Sequence, residues 1–318
     1  MSERSERIIK HSALPSPPPL SPKAPARLAI QAHLLTQVEA LRRQEPRVRI
    51  DAEDSVHQFR VAARRLRSGL RTFRPLLERA WADQLRSELG WLARSFAPAR
   101  DTEVLLERLL ARADHLPEEE EEGATARVRA LLDATLGGEL VEARAAGVGV
   151  LDSDRYRALL DRLLAAACDP ATTEAADRPC RKALPPLARR AWRRLDQAVV
   201  GLDPGVSDPA WHQARITAKR ARYTADACAP ALGKPAKRFA KELSRVTDVL
   251  GEHQDAMVAA ATLTRLATAE GVPATTAYWL GMLHEQERTA AATARATFAT
   301  VWHDVRRPDL RRWLTKGT

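Results

Sequence analysis

The sequence predicts an all-α fold made of two pseudo-symmetric helical bundles, four-helix-bundle-like halves with a basic central groove or pore. Three observations carry this expectation. From Arg27 onward Ala, Leu and Arg recur at 3.6-residue spacing, with few β-branched runs and no convincing strand. The segment HQFRVAARRLR at His57–Arg67 returns as HQARITAKRAR at His212–Arg222, the mark of an internal duplication. Both copies place cations about once per helical turn along one face.

Taken in order, residues 1–26 hold six prolines and scattered charge, and from about Ser12 to Pro25 they read as a disordered or polyproline-like arm outside the fold. Helices are expected near 27–45, 54–78, 80–97, 101–115 and 123–147 in a first repeat spanning 27–151. A helix at 152–168 and the loop after it join the copies over 152–183. The second repeat, 184–306, has helices near 184–200, 208–231, 235–251, 254–270 and 272–305, followed by a tail at 307–318. Proline, glycine and capping residues supply the breaks, with Asp54 and Asp208 read as caps of the repeated helix. Asp101 and Asp255 most simply cap helices or pair with nearby arginines. The acidic run Glu118–Glu122 reads as a solvated loop or a helix start whose charge suits the helix dipole.

Of 318 residues, 45% are apolar, enough for a sizeable core. Lys plus Arg outnumber Asp plus Glu by 51 to 41, a net charge of +10. That balance favours a polyanionic partner: nucleic acid, an anionic membrane surface or a phosphate polymer. Cys168, Cys180 and Cys228 lie far apart without a CxxC pair, so neither a disulfide framework nor a zinc ribbon is indicated and a reducing cytosol fits. No stretch reads as a signal peptide or a membrane span, which predicts a soluble, cytoplasmic protein without a membrane partner.

The duplication has an offset of 155 residues, matching His57 with His212, Arg60 with Arg215, Arg65 with Arg220, Arg67 with Arg222 and Pro75 with Pro230. Arg64 faces Lys219 and Val61 faces Ile216. One residue out of step, LGWLARSFAPARDTEV at Leu89–Val104 parallels LSRVTDVLGEHQDAMV at Leu243–Val258, pairing Asp101 with Asp255.

At 100° per residue, His57, Arg60, Arg64, Arg67 and Arg71 fall within about 80° of arc, while Phe59, Leu66, Leu70 and Phe73 cluster on another face. The ordinary role of an arginine-rich helix is a solvated face laced by i,i+4 salt bridges. Here no Asp or Glu occurs from Ser55 to Leu77, so neutralisation must come from other helices or from a ligand. Two such strips facing each other would form a groove that orders phosphate oxygens through guanidinium forks. Asp226 stands where the first copy has Arg71, which shortens the second strip. Arg65 and Arg220 point about 100° off it, toward packing or an outer patch. Lys237, Lys241 and Arg245 on the next helix are candidates to extend the basic surface.

VHQFRVAARRLRSGLRTFRPLL, WHQARITAKRARYTADACAPAL, ARDTEVLLERL and LGEHQDAMVAA together resemble the CHAD family, the histidine-marked α-helical domains, over about Arg27–Arg306. The resemblance implies a basic pore or surface that binds inorganic polyphosphate, and a cytoplasmic or polyphosphate-granule setting. It is to a stand-alone member, without the triphosphate tunnel domain to which CHAD domains are sometimes fused. Carried onto this chain, the polyphosphate-binding candidates are His57, Arg60, Arg64, Arg65 and Arg67, with His212, Arg215, Lys219, Arg220 and Arg222; Arg71, from the same strip, is added to them with Lys237, Lys241 and Arg245.

His57 and His212 lie in the first turns of their helices, where a capping or packing role competes with a phosphate contact. A metal ligand would need neighbours the sequence does not supply. No Walker loop, GxSxG elbow, HExxH or Cys/His pair is present, so no catalytic residue, cofactor or metal is expected. The leading expectation is non-catalytic polyphosphate binding. An RNA- or DNA-binding module and a metal-dependent phosphohydrolase remain the alternatives.

Overall fold

The computed structural model describes residues 14–116, 123–203 and 205–315, and among these the chain is all-α, without a named strand. The acidic run Glu118–Glu122 lies outside the described residues. The chain begins with α1 (Ala26–Arg49), α2 (Ser55–Thr72), α3 (Arg79–Ser95), α4 (Ala97–Ala113), α5 (Ala124–Leu132) and α6 (Gly138–Leu151). A π-helical turn at Asp133–Gly137 separates α5 from α6, where one uninterrupted helix is expected from the sequence. After α7 (Asp154–Cys168) follow α8 (Cys180–Val199), α9 (Asp208–Leu232), α10 (Lys234–Ala267), α11 (Ala274–Val305) and the short α12 (Pro308–Arg311).

Several boundaries differ from expectation for local reasons. α1 runs through Pro46 to Arg49, where the guanidinium bonds Glu45 at 3.1 Å and Asp152 at 2.6 Å. α2 ends at Thr72 because Pro75 starts a 3-10 turn, Arg74–Leu76. Asp54 does not cap α2 with its side chain; it sits in the left-handed region at φ +58° and its carboxylate accepts from Gln58 Nε2 at 2.7 Å. Ser207, not Asp208, is the N-cap of α9, and the Asp208 carboxylate accepts instead from Arg295. α10 is one helix where two are expected. Gly251 does not break it, since the buried row Phe239, Leu243, Val246, Leu250 and Ala256 continues past the glycine. Packing along that face outweighs the roughly 1 kcal/mol that a mid-helix glycine costs.

Apolar burial is not divided by copy. The larger core joins Phe59, Leu66 and Leu70 of α2 and Phe73 just after it to Trp211, Ala218 and Ala225 of α9 and reaches Leu314. A smaller one joins Leu109, Val128 and Leu132 to Leu263, Trp279 and Leu283. Where α2 buries Phe59, Leu66 and Leu70, α9 buries Ala214, Ala221 and Ala225 at the matching positions, and elsewhere in this core Trp192 packs on Phe239 and Trp302 with ring centroids 5.6 and 5.3 Å away.

The arm is a correction: residues 14–25 are fastened to the helices. Cys180 N donates to Ala24 O at 2.8 Å and Arg181 N to Pro22 O at 2.9 Å. These are first-turn amides of α8, which have no intrahelical acceptor, and the arm's carbonyls satisfy them. Leu14 and Leu20 pack on the larger core. The tail is also seated as far as Thr315, with Trp313 and Leu314 buried and the Arg311 guanidinium 5.2 Å from the Trp192 ring.

Candidate functional site: an arginine cleft beside the repeated helices

The repeated helices α2 and α9 touch at a buried hydroxyl contact, Thr72 Oγ1 to Thr224 Oγ1 at 3.0 Å. Around that contact the fate of each cation differs. Arg60 is neutralised: its Nη1 donates to Ala97 O and to Asp101, both at 3.0 Å. The corresponding arginine of the second copy, Arg215, lies 3.7 Å from Asp255, so the offset Asp101/Asp255 match marks the same ion pair twice. Arg222 donates to Thr247 Oγ1 at 2.9 Å and lies 3.8 Å from Asp248 and 3.9 Å from Asp226. Arg74, past the end of α2, and Arg86 of α3 are both held by Asp83.

Arg64, Arg67, Arg71, Lys219 and Arg220 have no such acid among the described residues. Arg64 lies 5.7 Å from the Tyr223 ring with its Nε buried and without an acceptor, and burial lowers its pKa, as do Arg60, Arg65 and Arg222 around it. Lys219 is pushed down to about 8 by burial first and then by Arg215 and Arg64, with Asp255 pulling partly the other way. Arg71 is pushed down to about 10 by burial and by the guanidinium groups of Arg220, Arg86, Arg67 and Arg194. Arg67 is lowered by burial and by Arg86 and Arg94, and Arg220 by burial and by Arg194, Arg67 and Arg86. For Arg71 and Arg220, depression by neighbouring guanidinium groups with no carboxylate among the described residues opposing it marks cations gathered in excess of nearby acid.

Arg71 and Arg220 border a cleft of about 740 Å³ between α2, α3, α8 and α9. Arg71, Arg74, Arg79, Arg86, Arg190, Arg194 and Arg220 line it, with Glu78 as the one acid among the lining residues and no aromatic ring. Arg64, Arg67 and Arg71 share one face of α2, so this cleft and the Arg64/Lys219 group are about 10 Å apart along a single ridge.

Sequence reasoning placed Arg220 off the strip, and the structure brings it into the cleft because α9 crosses α2 and presents that flank to Arg71. It also missed Arg86 and Arg94 on α3 and Arg190 and Arg194 on α8. Arg190 and Arg194 are four residues apart and Arg86 and Arg94 eight, so each pair shares one helix face, the signal that could have found them. Between Arg86 and Arg94 sits Gly90, where a Cβ would come within 3.6 Å of Arg67 Nε. Other candidates are not gathered with these. Arg65 lies across the crossing, in a separate cavity with Tyr223 and Asp226. Arg245 turns to Glu242 and Asp304 at 2.9 and 3.1 Å, and with the exposed Lys237 and Lys241 it does not line the cleft. His57 is lowered by burial and then by Arg100, and His212 bonds Gln254 Oε1 at 2.7 Å through Nδ1.

A family model described as the CHAD domain matches residues 32–264, a span that contains every one of these cations. The chain belongs to the CHAD family. Two proteins of Mycobacterium tuberculosis, Uncharacterized protein MT2285 (strain CDC 1551) and Uncharacterized protein Rv2226 (strain H37Rv), are each 34% identical to it over 292 residues, 87% of this chain and 53% of theirs. The chain thus spans about half the length of the curated relatives it matches. Among solved structures, PptA from Streptomyces chartreusis is similar at a TM-score of 0.74 and 27% identity, covering 88% of this chain and all of that one. The CHAD domain of the plant Ricinus communis is similar in fold at a TM-score of 0.67 and 24% identity, over 92% of this chain and 97% of that one. No described helix of this CHAD chain is long and apolar enough to cross a membrane.

Proposed function

We propose that this CHAD protein binds inorganic polyphosphate in the arginine cleft, without turning it over. The observation that carries the reading is that Arg71, Arg194 and Arg220 line one cleft without an ion-paired carboxylate among the described residues, with the pKa of Arg71 and of Arg220 lowered by burial and by neighbouring guanidinium groups. A flexible polymer with a charge on every phosphate supplies the missing counter-charge, and guanidinium forks bind phosphate oxygens in charge-assisted pairs. The absence of an aromatic side chain from the cleft lining favours polyphosphate over single-stranded nucleic acid, which is usually held by base stacking.

Fluorescence polarisation with end-labelled polyphosphate tests this. Arg71→Glu and Arg220→Glu should each weaken binding about tenfold or more, since a charge-assisted hydrogen bond contributes about 1.5–3 kcal/mol. Unchanged affinity in both variants contradicts the assignment. Phosphate release with Mg²⁺, Mn²⁺ or Zn²⁺ should stay at background, and turnover lost on changing His57 would overturn the non-catalytic part. RNA outcompeting polyphosphate at matched charge would reverse the choice of ligand.

A further inference from the structure

Resting on the polyphosphate reading, we infer that the molecule contains a second cleft built from the same positions of the duplicated helices, which Asp226 and the proline arm keep from holding phosphate, so that the chain grips polyphosphate on one side only. The arginine cleft is lined by Arg71, Thr72 and Pro75 from the first copy and Arg220 from the second. A separate cavity of about 340 Å³ is lined by Asp226, Ala227 and Pro230 from the second copy and Arg65 from the first. Those are the same four positions at the 155-residue offset, with the copies exchanged.

The electrostatic neighbours repeat as well. Arg71 lies against Arg220 and Arg67, while Asp226 lies against their counterparts Arg65 and Arg222. One substitution therefore turns a cluster of like charges into a compensated set, and the second cavity has no surplus of cations with which to draw a polyanion. Its remaining wall differs in the same sense. The arginine cleft receives Arg190 and Arg194 from α8, whereas the second cavity receives His33, Thr36 and Gln37 from α1. Pro17, Pro18 and Leu20 of the arm, with Ala29, Ala32 and Tyr223, complete its lining. The arm is held there by the α8 amides that bond Pro22 and Ala24. Charge and access both exclude phosphate from this side.

Calorimetric titration with tripolyphosphate, a probe short enough to occupy one cleft, separates the possibilities. The native chain should bind one equivalent, Arg220→Ala should weaken that binding at least tenfold, and Arg65→Ala should change it less than twofold. The charge-conserving exchange R71D/D226R, made in a chain lacking residues 1–19, should again bind one equivalent, but with the dependence transferred: Arg65→Ala now abolishes binding and Arg220→Ala does not. The truncation alone should leave the native behaviour unchanged. Two equivalents in the native chain, equal losses for Arg65→Ala and Arg220→Ala, or dependence that stays on Arg220 after the exchange would each overturn the inference. If the exchanged chain lacks a native helical spectrum, the two alanine variants of the native chain decide. A native chain that gives no heat with tripolyphosphate overturns the polyphosphate reading itself, and the one-sided cleft with it.

Discussion

Lys219 is the cation whose charge is most sensitive to its surroundings. A lysine whose folded pKa lies near 8 while its ordinary value is 10.5 costs stability below about pH 8, where it must be charged in the fold, and that cost vanishes as the pH rises past 10.5. A bound polyanion reverses the balance and draws the proton back. Binding near pH 8 should therefore take up a proton, seen as a reaction heat that changes between buffers of different ionisation enthalpy, and affinity should fall as the pH is raised from 7 to 9. Lys219→Arg should remove the proton uptake. Native binding heat that is independent of buffer would contradict this role. A different residue-scale prediction concerns Glu287, whose side chain is fully buried and bonded by Arg108 at 2.5 Å and Arg112 at 3.0 Å. Burial alone would lower the Arg108 pKa, but its bonds to Glu252 and Glu287 hold it above the ordinary value. Glu287→Ala leaves the buried part of that charge uncompensated and should cost about 3 kcal/mol in denaturant unfolding. A loss below about 1 kcal/mol would show that Glu252 alone suffices.

Among the elements, α10 offers a clean check of the balance between propensity and packing. Gly251 lies inside this helix with open space where a Cβ would be, so Gly251→Ala should stabilise the protein by about 0.5–1 kcal/mol, read as a shift in the urea midpoint. Destabilisation would mean the helix bends there for a reason its contacts do not reveal. The same helix shows where sequence reading stops. The 3.6-residue rows made each long helix legible, because periodicity reports a buried face directly. The break expected at Gly251 was wrong because propensity is local, whereas the apolar row that carries α10 across the glycine is a tertiary matter. The arm failed similarly: a proline-rich segment looks unstructured until one knows that α8 presents unsatisfied amides to Pro22 and Ala24.

For the whole molecule, the duplication, the helical class and the cationic face of α2 were all readable, since each is a pattern along the chain. Which cations remain unpaired was not. Asp101 quenches Arg60 from another helix, and Arg194 joins Arg71 from α8, associations that depend on how helices cross. The same crossing explains why copies so similar in sequence present different surfaces, with Arg71 in one cleft and Asp226 in the other. The account rests on the unpaired set of cleft arginines acting together on one polyanion. Its most direct test is the affinity of the native chain and of R71E/R220E for polyphosphate, measured across a series of salt concentrations. Native affinity should fall steeply with salt, as bound phosphates release their counterions, and the double variant should bind at least about tenfold more weakly with a shallower salt slope. Equal affinity and equal slope in the two proteins would contradict the account.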